Sequence, residues 1–209
     1  MKKTLFLVLT FITIFAVTSS AQVKVSGGFM GGLNLAKANI DPDQTGVELN
    51  NLTAFGIGGV LNFAFDGGFN IKLEPMYLQA GSKITSGSQE AKFKVNYISV
   101  PVMFVYVFPS DAGQIQPYLM AGPSLGIKMS AKYFDPNDVE TDIKDDIKST
   151  DFGATFGAGI NIPAGTSIVF IEGRYSLGLS DINNDPTFTG TIKTKGIQAF
   201  VGIMFPFGK

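Results

Sequence analysis

The segment Gly196 to Phe207 (GIQAFVGIMFPF) places Ile197, Ala199, Val201, Ile203, Phe205 and Phe207 on one side and Gln198, Phe200, Gly202 and Met204 on the other. A period of two marks an extended strand, whose successive side chains point to opposite faces. Here one face is continuously apolar and ends in aromatics, which fits a strand with lipid on one side. Strands of an outer-membrane barrel are roughly ten residues long, apolar outside, mixed inside and bordered by aromatic girdles. A single strand cannot close a sheet, so the rest of the chain must supply its partners.

The chain opens with Lys2 and Lys3, continues with an apolar run from Leu5 to Val17 broken only by Thr10 and Thr13, and then reads Ser19-Ser20-Ala21. That order of charged, apolar and small residues predicts a secretory signal peptide over residues 1–21. The run is shorter than the about 20 apolar residues of a helical anchor. Cleavage after Ala21 would leave one domain over residues 22–209, with no Cys near the cleavage point to carry a lipid. Loss of Lys2 and Lys3 reduces the 16 basic residues by two against 17 acidic ones, for a formal charge of -3. No basic stripe gathers these charges, so nucleic acid is not an expected partner. Cys is absent, which removes disulfides and thiol chemistry, and His is absent as well.

Alternation predicts eight strands, at 23–35, 52–65, 69–80, 93–107, 115–129, 151–162, 167–179 and 194–207. Short connections at 66–68, 109–114 and 163–166 carry the Gly, Pro and Asp that tight turns favour. Longer polar ones fall at 36–51, 81–92, 130–150 and 180–193. This rhythm, with both termini on the short-turn side, predicts an all-β fold: an eight-stranded antiparallel up-and-down transmembrane β-barrel with long extracellular and short periplasmic connections. A soluble sandwich or secreted lipid-binding barrel would invert the faces, apolar within and polar without.

The faces favour the membrane. Over 167–179, Val169, Ile171, Gly173, Tyr175, Leu177 and Leu179 oppose Phe170, Glu172, Arg174 and Ser176. Over 69–77, Phe69, Ile71, Leu73, Pro75 and Tyr77 oppose Asn70, Lys72, Glu74 and Met76. Over 115–128, charge again avoids the face carrying Leu119, Ala121 and Leu125. In 93–107, Pro101 interrupts the ladder, and Ile98, Val100, Val102, Phe104 and Tyr106 are assigned outward. Aromatics fall at two levels: Phe65, Phe69, Tyr106, Phe108, Phe205 and Phe207 at short-turn ends, and Phe55, Tyr77, Phe152 and Tyr175 toward long-loop ends. At about 3.3 Å per residue and a tilt near 40°, Phe55 to Phe65 would rise roughly 25 Å, the height of the apolar band.

The segments LEPMYLQAGSK, NYISVPVMFVY, QPYLMAGPSLGIKMSAK and IEGRYSLGLSDI resemble the small outer-membrane β-barrel family that includes PorT-like proteins. The resemblance runs from Val23 to Phe207 and implies a barrel inserted in a Gram-negative-type outer membrane after export. Through its PorT-like members it also implies an accessory role in protein secretion. The end of the last strand resembles the insertion signal read by the barrel-assembly machinery, with Gly202, Phe205 and Phe207 at its glycine and alternating-apolar positions. Phe200 stands where a polar residue is more usual, and Gly208-Lys209 follow the last aromatic.

Candidate chemistry is sparse. Spacing of two puts Lys72 with Glu74, and Glu172 with Arg174, on inward faces, where a narrow barrel is filled by side chains and buried charges must pair. The expectation is a structural charge cluster in which Glu172 or Glu74 neutralises Arg174, ahead of a proton or ion gate. The stretch from Asp135 to Asp151 holds seven carboxylates without the D-x-[DN]-x-[DN]-G spacing of a calcium loop, so a solvated acidic loop and no metal are expected. Glycines within the strands occur without a phosphate-loop motif and serve to relieve crowding. Without His there is no usual base for a Ser nucleophile, so neither catalysis nor a cofactor is expected. The reading is a membrane scaffold with outer-membrane lipid around it, the assembly machinery as a transient partner, and extracellular loops free for protein partners. Its rival is a narrow porin-like transporter of small solutes.

Overall fold

The computed structural model describes residues 23–42, 46–111 and 113–207. The predicted signal peptide and Gly208-Lys209 lie outside these residues. In chain order the strands are β1 (Lys24–Asp41), β2 (Glu48–Asn50), β3 (Leu52–Ala64), β4 (Phe69–Leu73), β5 (Met76–Ser86), β6 (Gln89–Val107), β7 (Gln116–Phe134), β8 (Glu140–Asp142), β9 (Thr150–Ala164), β10 (Ser167–Gly178) and β11 (Thr191–Phe207). β1 pairs antiparallel with β3 on one side and with β11 on the other, from Val25 opposite Phe207 to Asp41 opposite Thr191. The ring then runs through β4 with β5, β6, β7, β9, β10 and back to β11. β4 and β5 share one position between β3 and β6, so eight strands close the barrel and no full-length edge is left unpaired.

Two expectations change. The strand predicted over 69–80 is divided at Glu74-Pro75. Pro75 has no N–H to donate; its carbonyl accepts from Gly59 N at 2.9 Å, while Glu74 N donates to the Pro101 carbonyl at 3.1 Å. Side-chain alternation survives the break, and Lys72, Glu74 and Met76 all stay buried on the inner face. The connection predicted over 81–92 is a hairpin: β5 and β6 continue until Ser86 opposes Gln89, leaving only Gly87 and Ser88 between them. The connections predicted at 36–51, 130–150 and 180–193 likewise contain the ends of β1, β7 and β11, together with β2 and β8. Sequence reading stops a strand where its outer face ceases to be apolar, yet the backbone ladder continues into water. β6 and β7 span 19 residues each, nearly twice the roughly ten that cross the bilayer.

The outward face is as predicted. Ile197, Val201, Phe205 and Phe207 are exposed on β11 while Gln198, Phe200 and Met204 are buried, and β6 keeps its register of faces through the buried Pro101. Outward aromatics meet at both levels. Phe69, Tyr106 and Phe108 form a chain with ring centroids 5.1 and 5.2 Å apart near the short turns. Phe55 lies 5.7 Å from Tyr77, and Phe156 5.4 Å from Tyr175, toward the other end. Side chains fill the interior near the short turns and mid-barrel: Met30, Val60, Met76, Phe170, Phe200 and Met204 form one cluster, and Met103, Val105, Tyr118 and Met120 another.

Candidate functional site: a charge cluster across the lumen

β4 and β10 stand on opposite sides of the ring, and their inward charges meet in the middle. Arg174 Nη1 lies 2.8 Å from Glu74 Oε2, and Arg174 Nη2 donates to Glu172 Oε1. Lys72 Nζ lies 3.4 Å from Glu172 Oε2, which also accepts from the Tyr118 hydroxyl at 2.5 Å. Two cations and two carboxylates therefore balance, and all four residues are buried. The expected pairing is more extensive than predicted, because Arg174 meets both glutamates rather than one. Glu74 is held by proximity: its contact with Arg174 Nη1 is not aligned as a hydrogen bond, and neither of its oxygens has another partner.

Aromatic rings complete the cluster. Lys72 Nζ sits 4.4 Å from the centroid of Tyr118 and 4.6 Å from that of Phe170, while Arg174 lies 5.0 Å from that of Phe200. Ring faces attract cations, more so once desolvated. Phe200, the departure from a polar residue in the last strand, thus covers the arginine. Tyr118 was not singled out by sequence. Its signal is cross-strand: Tyr118 opposes Gly159, where an added Cβ would stand 2.4 Å from the tyrosine ring.

Gly202 makes similar room, since a Cβ there would lie 2.3 Å from Phe170 Cζ and 2.6 Å from the Phe29 carbonyl oxygen. We expect Gly202→Ala to lower stability by about 1–3 kcal/mol through overpacking. Chemical denaturation of the refolded barrel measures this, and Phe170→Leu in the same chain should recover part of the loss. No recovery would place the loss at the Phe29 carbonyl oxygen rather than at the Phe170 ring.

On the long-connection side of Arg174 a cavity of about 40 Å³ is lined by Asn34, Tyr97, Ser99, Asp151, Thr194 and Gln198, among others. Asn34 Oδ1 and Tyr97 Oη are buried there without a protein partner. Such a space holds one or a few waters. Ile147 and Ile182 close the mouth above it, buried with Phe93, Val95, Tyr97 and Ala131. Lys128 fastens this cap by donating to the carbonyls of Lys144 and Ile147.

The stretch from Asp135 to Asp151 is not a uniform solvated loop. Asp138 pairs with Lys92 at 2.6 Å, Glu140 pairs with Lys132 at 2.5 Å, and Asp135 accepts from Asn137 N and Val139 N at 2.9 and 2.8 Å. Asp151 departs from the expectation: it faces inward at 9% exposure and accepts from Ser180 Oγ at 2.9 Å and Thr194 Oγ1 at 2.7 Å. Among the described residues the carboxylates are spread over these separate partners rather than converging on one point.

Asp181 anchors the cap from the facing loop. It accepts from Ile192 N at 2.9 Å, Asn183 N at 3.0 Å and Lys148 Nζ at 2.8 Å. Burial by itself would raise this carboxyl, but the Lys148 bond and the two backbone bonds together hold it below the usual range. A carboxyl lowered in the folded loop contributes stability above its unfolded value, near 3.9, and loses it as pH falls through the lower folded value. Amide exchange at Ile192 should therefore show the loop opening more readily below about pH 4. In Asp181→Ala that pH step should vanish.

Residues 20–184 match the family described as Outer membrane protein beta-barrel domain, well over half of the 209-residue chain. The chain belongs to this family. The outer-membrane barrel has no match among curated proteins by sequence. Among solved structures, the crystal structure of Neisserial surface protein A aligns over 90% of this chain and 100% of that one, at 16% identity and a TM-score of 0.51. The N-terminal β-barrel domain of Pseudomonas aeruginosa OprF aligns over 90% and 100%, at 12% identity and a TM-score of 0.45. Ail of Yersinia pestis aligns over 87% and 99%, at 14% and 0.44. At this identity the likeness to the Neisserial protein shows a shared barrel fold. Family and fold together place the chain in the outer membrane, with lipid against its apolar face.

Proposed function

We propose that this barrel is a closed membrane scaffold, which holds its extended outer strands and loops at the cell surface for protein partners and neither conducts solute nor catalyses a reaction. The observation that carries this reading is the charge cluster contributed from both sides of the ring, with Tyr118, Phe170 and Phe200 packed around it. A narrow transporter would need a continuous wet path, and the fully buried Lys72–Glu172 and Arg174–Glu74 contacts lie across it. The absence of His from the chain supports the non-catalytic part of the reading.

Gly202, Phe205 and Phe207 divide by role in this account. Phe205 and Phe207 are exposed near the short turns, accessible to the assembly machinery, whereas Gly202 accommodates Phe170. Planar-bilayer recording tests the closed reading. The refolded wild-type barrel should stay silent at moderate voltage; reproducible unitary steps from the same preparation would favour the porin-like alternative.

A further inference from the structure

Outward residues on β1 and β11 change character from one rung to the next. Leu35 opposes Ile197 at the outer end of the apolar face, Lys37 opposes Lys195 on the next outward rung, and Asn39 opposes Lys193 beyond it. Lys37 and Lys195 are half-buried and Lys193 is exposed. Lysine stems can lie along an apolar wall while the ammonium reaches the polar layer. Like charges directly opposite on one sheet face repel each other.

Elsewhere on the outer rim, Lys83 pairs with Glu90 at 2.9 Å, Lys92 with Asp138 at 2.6 Å and Lys132 with Glu140 at 2.5 Å, while Lys94, opposite Lys132, lies 5.4 Å from the centroid of Phe134. Among the described residues no carboxylate lies within ion-pair distance of Lys37, Lys193 or Lys195. Lys195 Nζ reaches only the neutral Asn39 Oδ1, at 3.3 Å, and Asp41 lies further out, opposite Thr191. Three ammonium groups thus project where the apolar wall ends and lipid head groups begin.

We propose that Lys37, Lys193 and Lys195 form a binding site for the phosphate of an outer-leaflet lipid. A phosphate oxygen pair can bridge Lys37 and Lys195, offsetting their repulsion through charge-assisted hydrogen bonds. Leu33, Leu35 and Ile197, exposed directly below, give the acyl chains of the same molecule an apolar surface. Free inorganic phosphate shares the first feature and lacks the second.

The test is native mass spectrometry of the folded barrel released from zwitterionic detergent, with three probes: bisphosphorylated lipid A, dephosphorylated lipid A and inorganic phosphate. Wild type should retain bisphosphorylated lipid A, and Lys37→Gln/Lys195→Gln should weaken that binding about 30-fold, the effect of two interfacial lysines. Lys37→Arg/Lys195→Arg should keep it, as should Lys83→Gln/Lys94→Gln on β5 and β6. Equal retention of dephosphorylated lipid A, or of lipid A by the glutamine variant, would overturn the site. Displacement by an equal concentration of inorganic phosphate would overturn its assignment to a lipid.

Discussion

Arg174→Met should cost the barrel about 3–5 kcal/mol, the effect of removing one partner from a buried ion pair. The wild-type cluster balances Lys72 and Arg174 against Glu74 and Glu172. Methionine fills much the same space but leaves two carboxylates facing one lysine, away from water. Packing alone would predict a small loss, so the size of the effect separates charge balance from volume. Urea titration of refolding in bilayers, read by the heat-modifiable gel band, measures it. Glu74→Gln added to Arg174→Met restores neutrality, and the double variant should be more stable than the single. An unchanged midpoint in Arg174→Met would show that the contacts across the lumen carry no weight.

Val201→Arg should cost about 2–4 kcal/mol, because Val201 lies midway along β11 on the face assigned to lipid. It opposes Gly31 on β1 and Ile171 on β10, and is 54% exposed in the isolated protein. In a water-soluble barrel the same change would be nearly neutral, since an exposed Val-to-Arg replacement disturbs little. Thr191→Arg on the same strand is the control. Thr191 faces outward beyond the apolar band, and its replacement should leave the midpoint within about 0.5 kcal/mol. The contrast between two arginines ten residues apart in sequence thus locates the bilayer along one strand.

The parts of this molecule legible in sequence are those with a local period. Alternation assigned the faces of β10 and β11 correctly, and a spacing of two put Lys72 with Glu74 and Glu172 with Arg174 on the inner wall. That β4 and β10 face each other follows only from closure of the ring, so the double role of Arg174 between Glu74 and Glu172 was not available from either segment alone. Alternation puts Phe170 and Phe200 on inward faces, but their place against Lys72 and Arg174, like that of Tyr118, was hidden for a related reason. An aromatic on a mixed inner face looks like any other until the cation beneath it is known. Ile147 and Ile182 belong to segments without periodicity, and their burial depends on contacts between distant loops. The hairpin at Gly87-Ser88 was hidden because the outward face turns polar beyond the bilayer edge, at Lys83, Lys92 and Lys94, while only the inner face keeps apolar residues such as Phe93 and Val95.

β11 can report at once on lipid outside the barrel and on packed side chains inside it. The chain contains no Cys, so single cysteines at each position from Ile197 to Met204 give unique nitroxide labels in reconstituted bilayers. Power-saturation spectroscopy then compares access of oxygen, which concentrates in lipid, with that of a water-soluble nickel chelate. Oxygen access should peak at Ile197, Ala199, Val201 and Ile203, with the chelate excluded from every position in the series. Chelate access at Gln198, Phe200 and Gly202 would reveal an open lumen, and chelate access at the odd-numbered positions would contradict the membrane-facing assignment itself.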